Sequence, residues 1–172
     1  MSVRIRARRP DDLASCVDML ARVHESGGYP TNWPSDPALW LTPRDLIEVW
    51  VAGVAGEAIA GHMVLTKAQV ASRGQPTAEV GRLFVDPAVR RLGVARALIR
   101  HAQNWAVENK TDLNLWVADH LRAARELYER SGFELTETSV ANWTTPDGRP
   151  VLVHRYDWDN PSAGGRGTQR NL

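Results

Sequence analysis

The chain reads as one mixed α/β domain. Strand-like and helix-like segments alternate along its 172 residues without internal repeats. A chain of that length suits one domain with a real core. Between Val80 and Leu98 an apolar strand-like run is handed, through Asp86-Pro87 and an arginine-rich turn with one glycine, directly to a helix-like run.

Taken in order, Val3 to Ala7 alternates apolar and charged residues, as a strand with one wet face does. Pro10-Asp11-Asp12 opens a helix in which either aspartate can cap the first N–H groups, and Leu13, Val17, Leu20 and Val23 form its apolar stripe. Residues 25–41 hold Gly27-Gly28, Pro30, Pro34 and Pro37, which forbid a long helix. Thr42-Pro43-Arg44-Asp45 carries a helix-start pattern, with proline at the first position, and predicts a short helix there. Glu48 to Ala52 and Ala58 to Thr66 are apolar runs separated by Ala55-Gly56-Glu57, so they read as a hairpin. Ser72 to Pro76 is a loop, Thr77 to Val85 a central strand and Leu92 to Glu108 a long helix. Leu113 to Val117 is a short strand. Leu121 to Arg130 is a helix ended at Gly132, where glycine adopts a left-handed cap at little cost. Phe133 to Thr138 and Val151 to Asp157 are final strands joined across Thr145-Pro146-Asp147-Gly148. After Asn160 the composition falls to Gly, Ser, Arg and Asn, so residues 1–159 are expected to form the domain and 160–172 a disordered tail.

Composition excludes several classes. A net charge of +1 gives no reason to expect nucleic acid as a partner. All but Lys67 and Lys110 of the 21 basic residues are arginine, which could serve anion contacts but follows from a GC-rich coding bias without any function. The single cysteine, Cys16, allows no intrachain disulfide and falls on the apolar side of its helix as a core residue. No apolar run reaches the length of a membrane span, and the N-terminus has no signal-peptide pattern, so a cytoplasmic protein without membrane contact is the expectation. There is no Gly-x-Gly-x-x-Gly, no P-loop, no Gly-x-Ser-x-Gly and no metal-ligand spacing; no metal is expected.

The strand, turn and helix around residues 80–98 carry the chemistry. A helix entered from a tight turn points several unpaired N–H groups at one spot. Its dipole adds partial positive charge there, and Arg90 and Arg91 add full charges. Such a place holds a phosphate or pyrophosphate. Arg90-x-x-Gly93-x-Ala95 also resembles the Arg/Gln-x-x-Gly-x-Gly/Ala signature of the GCN5-related N-acetyltransferases (the GNAT family), and Leu83-Phe84-Val85-Asp86-Pro87 is similar to that family's central strand. A second element, Ala124-x-x-Leu127-Tyr128-Glu129-Arg130-Ser131-Gly132-Phe133, follows in the family's order.

The resemblance implies the acyl-CoA N-acyltransferase fold: a mostly antiparallel sheet of about seven strands flanked by about four helices, with a splay between strands 4 and 5 that receives the pantetheine arm of acetyl-CoA. It implies that Arg90, Arg91, Gly93, Val94, Ala95 and Arg96 bind the pyrophosphate, that the backbone of Leu83, Phe84 and Val85 pairs with the pantetheine amides, and that Tyr128 is the general acid toward the departing sulfur. A phenol is neutral at pH 7 and can donate. Acetyl transfer to an amine also needs a route for the amine's protons. Glu79, where many family members carry a carboxylate that works through water, and His120, whose imidazole titrates in the useful range, are the two candidate bases. The family often has asparagine seven residues before the tyrosine; here that residue is Leu121, which removes one hydrogen bond and leaves Arg122 or His120 as substitutes. Trp116 stands where the ribosomal-protein acetyltransferases of the family carry a glutamate, which argues against that substrate. Tyr29, Trp33 and Trp40, with Trp143, either wall an acceptor pocket or pin a long loop to the core. His24 and His62 read as structural. The expected activity is transfer of acetyl from acetyl-CoA to a primary amine of a small molecule or an amino-terminal group. The alternatives are a non-catalytic acyl-CoA-binding module or an enzyme using a longer acyl group. A homodimer is compatible with the family.

Overall fold

The computed structural model describes residues 2–54, 58–68 and 75–162. Seven strands form a single sheet in the order β1-β2-β3-β4-β5-β7-β6: β1 (Val3–Ala7), β2 (Leu46–Val54), β3 (Ile59–Lys67), β4 (Thr77–Val85), β5 (Asp112–Ala118), β6 (Glu134–Thr144) and β7 (Pro150–Trp158). Every adjacent pair is antiparallel except β4 and β5. Four helices, α1 (Leu13–Gly27), α2 (Pro37–Trp40), α3 (Val94–Glu108) and α4 (Arg122–Arg130), cover the two faces.

Two cores follow from this layering. Leu98, Ile99, Ala102 and Ala106 of α3 pack with Tyr128 of α4 against Trp50, Met63, Leu65, Ala78, Val80, Leu113, Leu115 and Tyr156. On the opposite face Cys16, Met19, Leu20 and Val23 of α1 pack with Leu41, Val51 and Phe84. Gly61 of β3 lets α3 approach closely: a Cβ there would lie 2.8 Å from Val94 Cγ1 and 3.1 Å from Leu98 Cδ1. Cys16 is fully buried, and burial pushes its thiol up to about 11.

The expected short helix at Thr42–Asp45 is not formed. Helix occurs one turn earlier, at Pro37–Trp40, where Asp36 accepts from the Leu39 N–H at 2.9 Å and proline stands in the first turn. Residues 43–45 instead turn the chain into β2, and Lys67 N–H bonds the Asp45 carbonyl at 3.0 Å. Tertiary pairing of Leu46 with Thr66 overrides the local helix signal. Asp12 does not cap α1. It accepts from the Arg9 N–H at 2.6 Å across the 3₁₀ turn Pro10–Asp12 and pairs with Arg6 at 2.6 and 2.9 Å. The Arg6 guanidinium holds its carboxyl at about 2. β2 and β6 run beyond their expected ends, and β6 reaches Thr144 because its second half pairs with β7 as the sheet edge. Ala55-Gly56-Glu57, most of the loop at 72–76, and residues 163–172 of the tail lie outside the described residues. Asn160 is folded into the domain: its side chain donates to the carbonyls of Ala106 and Thr111, and its N–H to Asp112.

Candidate active site

β4 and β5 pair in parallel only over Thr77–Val80 and Asp112–Leu115. Beyond Val80 they diverge, and β5 pairs onward with β7 on its other side. The backbone of β4 from Gly81 to Val85 therefore faces an open wedge. That wedge is a cleft of about 940 Å³, walled by Gly81–Val85 on one side and by Trp116–Ala118, Leu121, Ala124, Leu127 and Tyr128 on the other.

β4 is irregular where the wedge opens. Val64 pairs with Gly81 and His62 with Phe84, so Arg82 and Leu83 together oppose Met63, and Arg82 takes φ of 45°. This is a β-bulge, with one strand carrying an extra residue. It shifts the side-chain alternation. Ala78 and Val80 face the α3 core, as Leu83 and Val85 do after the bulge, while Phe84 joins the α1 core. His62 supports the bulge from below. Its Nδ1 lies 3.0 Å from the Arg82 carbonyl and its Nε2 3.0 Å from Arg8 Nη1. A guanidinium can only donate, so Nε2 accepts and the Nδ1–H donates to the bulge carbonyl. Arg8 is fixed in turn by the Leu41 carbonyl at 2.8 Å and by Thr42 Oγ1 at 2.6 Å. Burial, reinforced by Arg8 and Arg82, holds the His62 ring neutral, with its pKa lowered to about 4.

The wedge ends at the start of α3. The 3₁₀ turn Pro87–Val89 begins under Asp86, which accepts from the Ala88 N–H at 3.0 Å. Arg91 at φ 67° and Gly93 at φ 77° then bend the chain into α3. No side chain caps that helix, so the N–H groups of its first turn are available to an anion. Arg90, Arg91 and Ala95 line the cleft, and Arg90 is steadied by Ser26 Oγ at 3.0 Å. Val94 turns into the core and Arg96 is exposed, so these two and Gly93 can offer backbone N–H groups but no side-chain wall.

At the other end lie residues of the α1–α2 loop and the β6–β7 hairpin. Tyr29 and Thr31 line the cleft from one, and Ser139, Ala141, Asn142 and Trp143 from the other. The two segments are tied by Asn32 Nδ2, which donates to the Thr144 carbonyl at 2.8 Å. Trp40 stands behind the wall: its ring centroid is 4.9 Å from the Arg82 guanidinium carbon, and its carbonyl accepts from Arg82 Nε at 3.1 Å. Trp33 is on the outside, against His24. Tyr128 is buried at the base of α4, and burial and the nearby Tyr29 phenol both keep its proton on. Burial raises Tyr29 likewise, to about 12, with Arg82 opposing. Both phenols are thus donors across the physiological range.

Neither candidate base lines the cleft. Glu79 sits in the paired part of β4, half-buried, and desolvation raises its pKa while Arg82 pulls it down. His120 is exposed in the turn before α4. Arg122 points to a separate surface groove with Arg125, Glu126 and Glu129. Leu121 presents an apolar wall where the asparagine would stand. The sequence reading passed over Arg82. A glycine inside a strand, Gly81 just before it, is a weak hint of a bulge, but the register that makes Arg82 bulge lies in β3.

A wedge of exposed strand backbone leading to an uncapped, arginine-flanked helix start defines a protein shaped for a long ligand with an anionic end. The chain belongs to the acetyltransferase (GNAT) family, whose model matches residues 15–133. It is 32% identical over 106 residues to an uncharacterised N-acetyltransferase of Methanocaldococcus jannaschii, a match covering 60% of this chain and 46% of that protein. The chain thus spans about half the length of that curated relative. Its fold is similar to the ribosomal-protein-S18-alanine N-acetyltransferase of Escherichia coli, with a TM-score of 0.70 at 20% identity over 92% of this chain and 95% of that one. It is similar also to Arabidopsis thaliana NAA60 in complex with acetyl-CoA, with a TM-score of 0.71 at 17% identity over 91% and 98% of the two chains.

Proposed function

We propose that this protein is an N-acetyltransferase that moves the acetyl group of acetyl-CoA to a primary amine of a small molecule or an amino-terminal group, by direct attack in a ternary complex. The observation that carries this reading is the continuity of the wedge. The β4 edge left open on the β5 side from Gly81 to Val85 leads without a break to the uncapped first turn of α3. Backbone groups of that stretch suit the amides of a pantetheine arm, which would add as a strand. The α3 N–H groups with Arg90 and Arg91 suit the pyrophosphate.

In this reading the protein chiefly positions the thioester. An N–H of the bulged strand polarises its carbonyl where negative charge develops. Tyr128 protonates the departing sulfur, a role its buried, neutral phenol suits. Attack requires the amine in its neutral form. Among the described residues the cleft lining contains no carboxylate and no imidazole, so the amine's protons leave through water, with Glu79 and His120 the candidate receivers.

The same lack of a base in the lining is the observation that favours the rival reading, a non-catalytic acyl-CoA-binding module. Calorimetry with CoA and acetyl-CoA, followed by thiol release over a broad amine panel, separates the two. Saturable CoA uptake with amine-dependent thiol release is the expected result. Uptake without release from any amine supports the binding module, and no uptake removes both.

A further inference from the structure

The acceptor end of the cleft has one charge, and it is positive. Among the described residues that line the cleft, the charged ones are Arg82, Arg90 and Arg91. Arg90 and Arg91 flank the start of α3 and belong to the anion end. Arg82 stands apart from them, at the bulge itself, against Trp40 and near Tyr29. Its guanidinium is held by two contacts that leave its charge unspent: Nε donates to the Trp40 carbonyl, and the plane rests over the Trp40 ring. Among the described residues it forms no ion pair. Glu79, the acid nearest to it along β4, neither reaches ion-pair distance nor lines the cleft. A guanidinium whose Nε and face are fixed presents its two terminal nitrogens in a rigid fork, the geometry that matches a carboxylate.

Resting on the acetyl-transfer reading above, we infer that the acceptor is a primary amine that also carries a carboxylate, and that Arg82 binds that carboxylate. An amine with an added positive charge would meet Arg82 with no acid in the lining to compensate. An acceptor with a carboxylate near its amine would bring Arg82 the partner it lacks, and its side chain would lie along Tyr29 and Trp143. The bulge is what aims Arg82: at φ of 45° it breaks the strand alternation and turns this side chain toward Trp40 and the cleft. His62 fixes that bulge through the Arg82 carbonyl.

The test uses the full chain, first shown to take up CoA by calorimetry. Thiol release is then measured for aromatic and aliphatic amino acids, each paired with its own carboxamide, and for a linear polyamine. The carboxylate member of each pair is expected to have a kcat/KM about 10- to 100-fold higher than its amide, the range of a hydrogen-bonded charged contact. Arg82→Gln should bring that ratio toward one, with the loss falling on the carboxylate member's KM, and Arg82→Lys should restore part of it. CoA affinity in both variants reports that the wedge still folds. Preference for the amides or the polyamine, or an equal loss on both members of each pair in Arg82→Gln, overturns the assignment while leaving acetyl transfer standing. Failure to take up CoA removes acetyl transfer itself and this assignment with it.

Discussion

The two ends of the cleft are made of different material. The end we assign to the anion is mostly backbone: an open strand edge, two left-handed residues at Arg91 and Gly93, and the first turn of α3. The end we assign to the acceptor is side chain: Tyr29, Arg82, Asn142 and Trp143, brought together from β4, a loop and a hairpin. A backbone site is set by local conformation and tolerates many side chains. A side-chain site depends on residues that meet only when the sheet closes. Substitutions should therefore act as large, conformation-driven losses at one end and as graded, contact-driven losses at the other.

The largest effect belongs to Gly93→Asp. An added Cβ there would meet nothing within 4 Å, so sterics are not the cause. The residue must hold φ of 77°, which favours glycine, and its new carboxylate would stand where phosphates approach. CoA affinity should fall more than about 100-fold, since the helix-terminus attraction is replaced by charge repulsion. The melting temperature should drop only slightly. Unchanged affinity by calorimetry would show that the anion end is not where we place it.

Next comes Tyr128→Phe, which tests the join between the two ends. Removing an acid from a proton transfer costs about 100-fold in turnover, while CoA affinity should hold, because the ring remains packed near Phe133 and Tyr156. Full turnover with an unaltered pH–rate profile would strip Tyr128 of its acid role and leave it as a core residue.

How far the sequence reached follows the same division. Arg90-x-x-Gly93-x-Ala95 and the Tyr128 segment are contiguous, and the physics that shapes them acts within a turn or two. The strand–turn–helix order, the seven strands and three of the four helices were legible for that reason. The Arg82 bulge was not, because it exists only against the β3 register. Nor was its support, since His62 meets Arg8 across 54 positions. The helix placed at Thr42–Asp45 failed on a local signal that cross-strand pairing outweighed. Tyr29, Trp33 and Trp40 left two readings open, a pocket wall or a pinned loop, because spacing alone does not say which ring faces the cleft: Tyr29 lines it, Trp40 closes helix α2 and backs Arg82, and Trp33 lies outside.

The bulge gives a third, smaller test through pH. His62 is neutral when folded, with its pKa lowered to about 4 from an ordinary value of 6.5. The unfolded chain therefore binds the proton more readily. The stability His62 confers is complete above 6.5 and is lost as pH falls toward 4. Between pH 7 and pH 5 the loss should be about 2 kcal/mol. Urea midpoints against pH should show this slope in the native chain and a flatter one in His62→Gln. Equal slopes would mean that another group carries the acid sensitivity.

The smallest effect should come from Asn32→Ala, and it sharpens the comparison most. Asn32 is exposed and makes one hydrogen bond, to the Thr144 carbonyl 112 positions away, so it ties the α1–α2 loop to the β6–β7 hairpin without touching the anion end. One such bond contributes about 1 kcal/mol net. Its loss should loosen the mouth around Tyr29 and Trp143 and raise the acceptor's KM about 5-fold. CoA affinity should not move. If CoA affinity and acceptor KM shifted together, the two ends would be mechanically coupled, and the contrast between a backbone site and a side-chain site would give way to a single cooperative cleft.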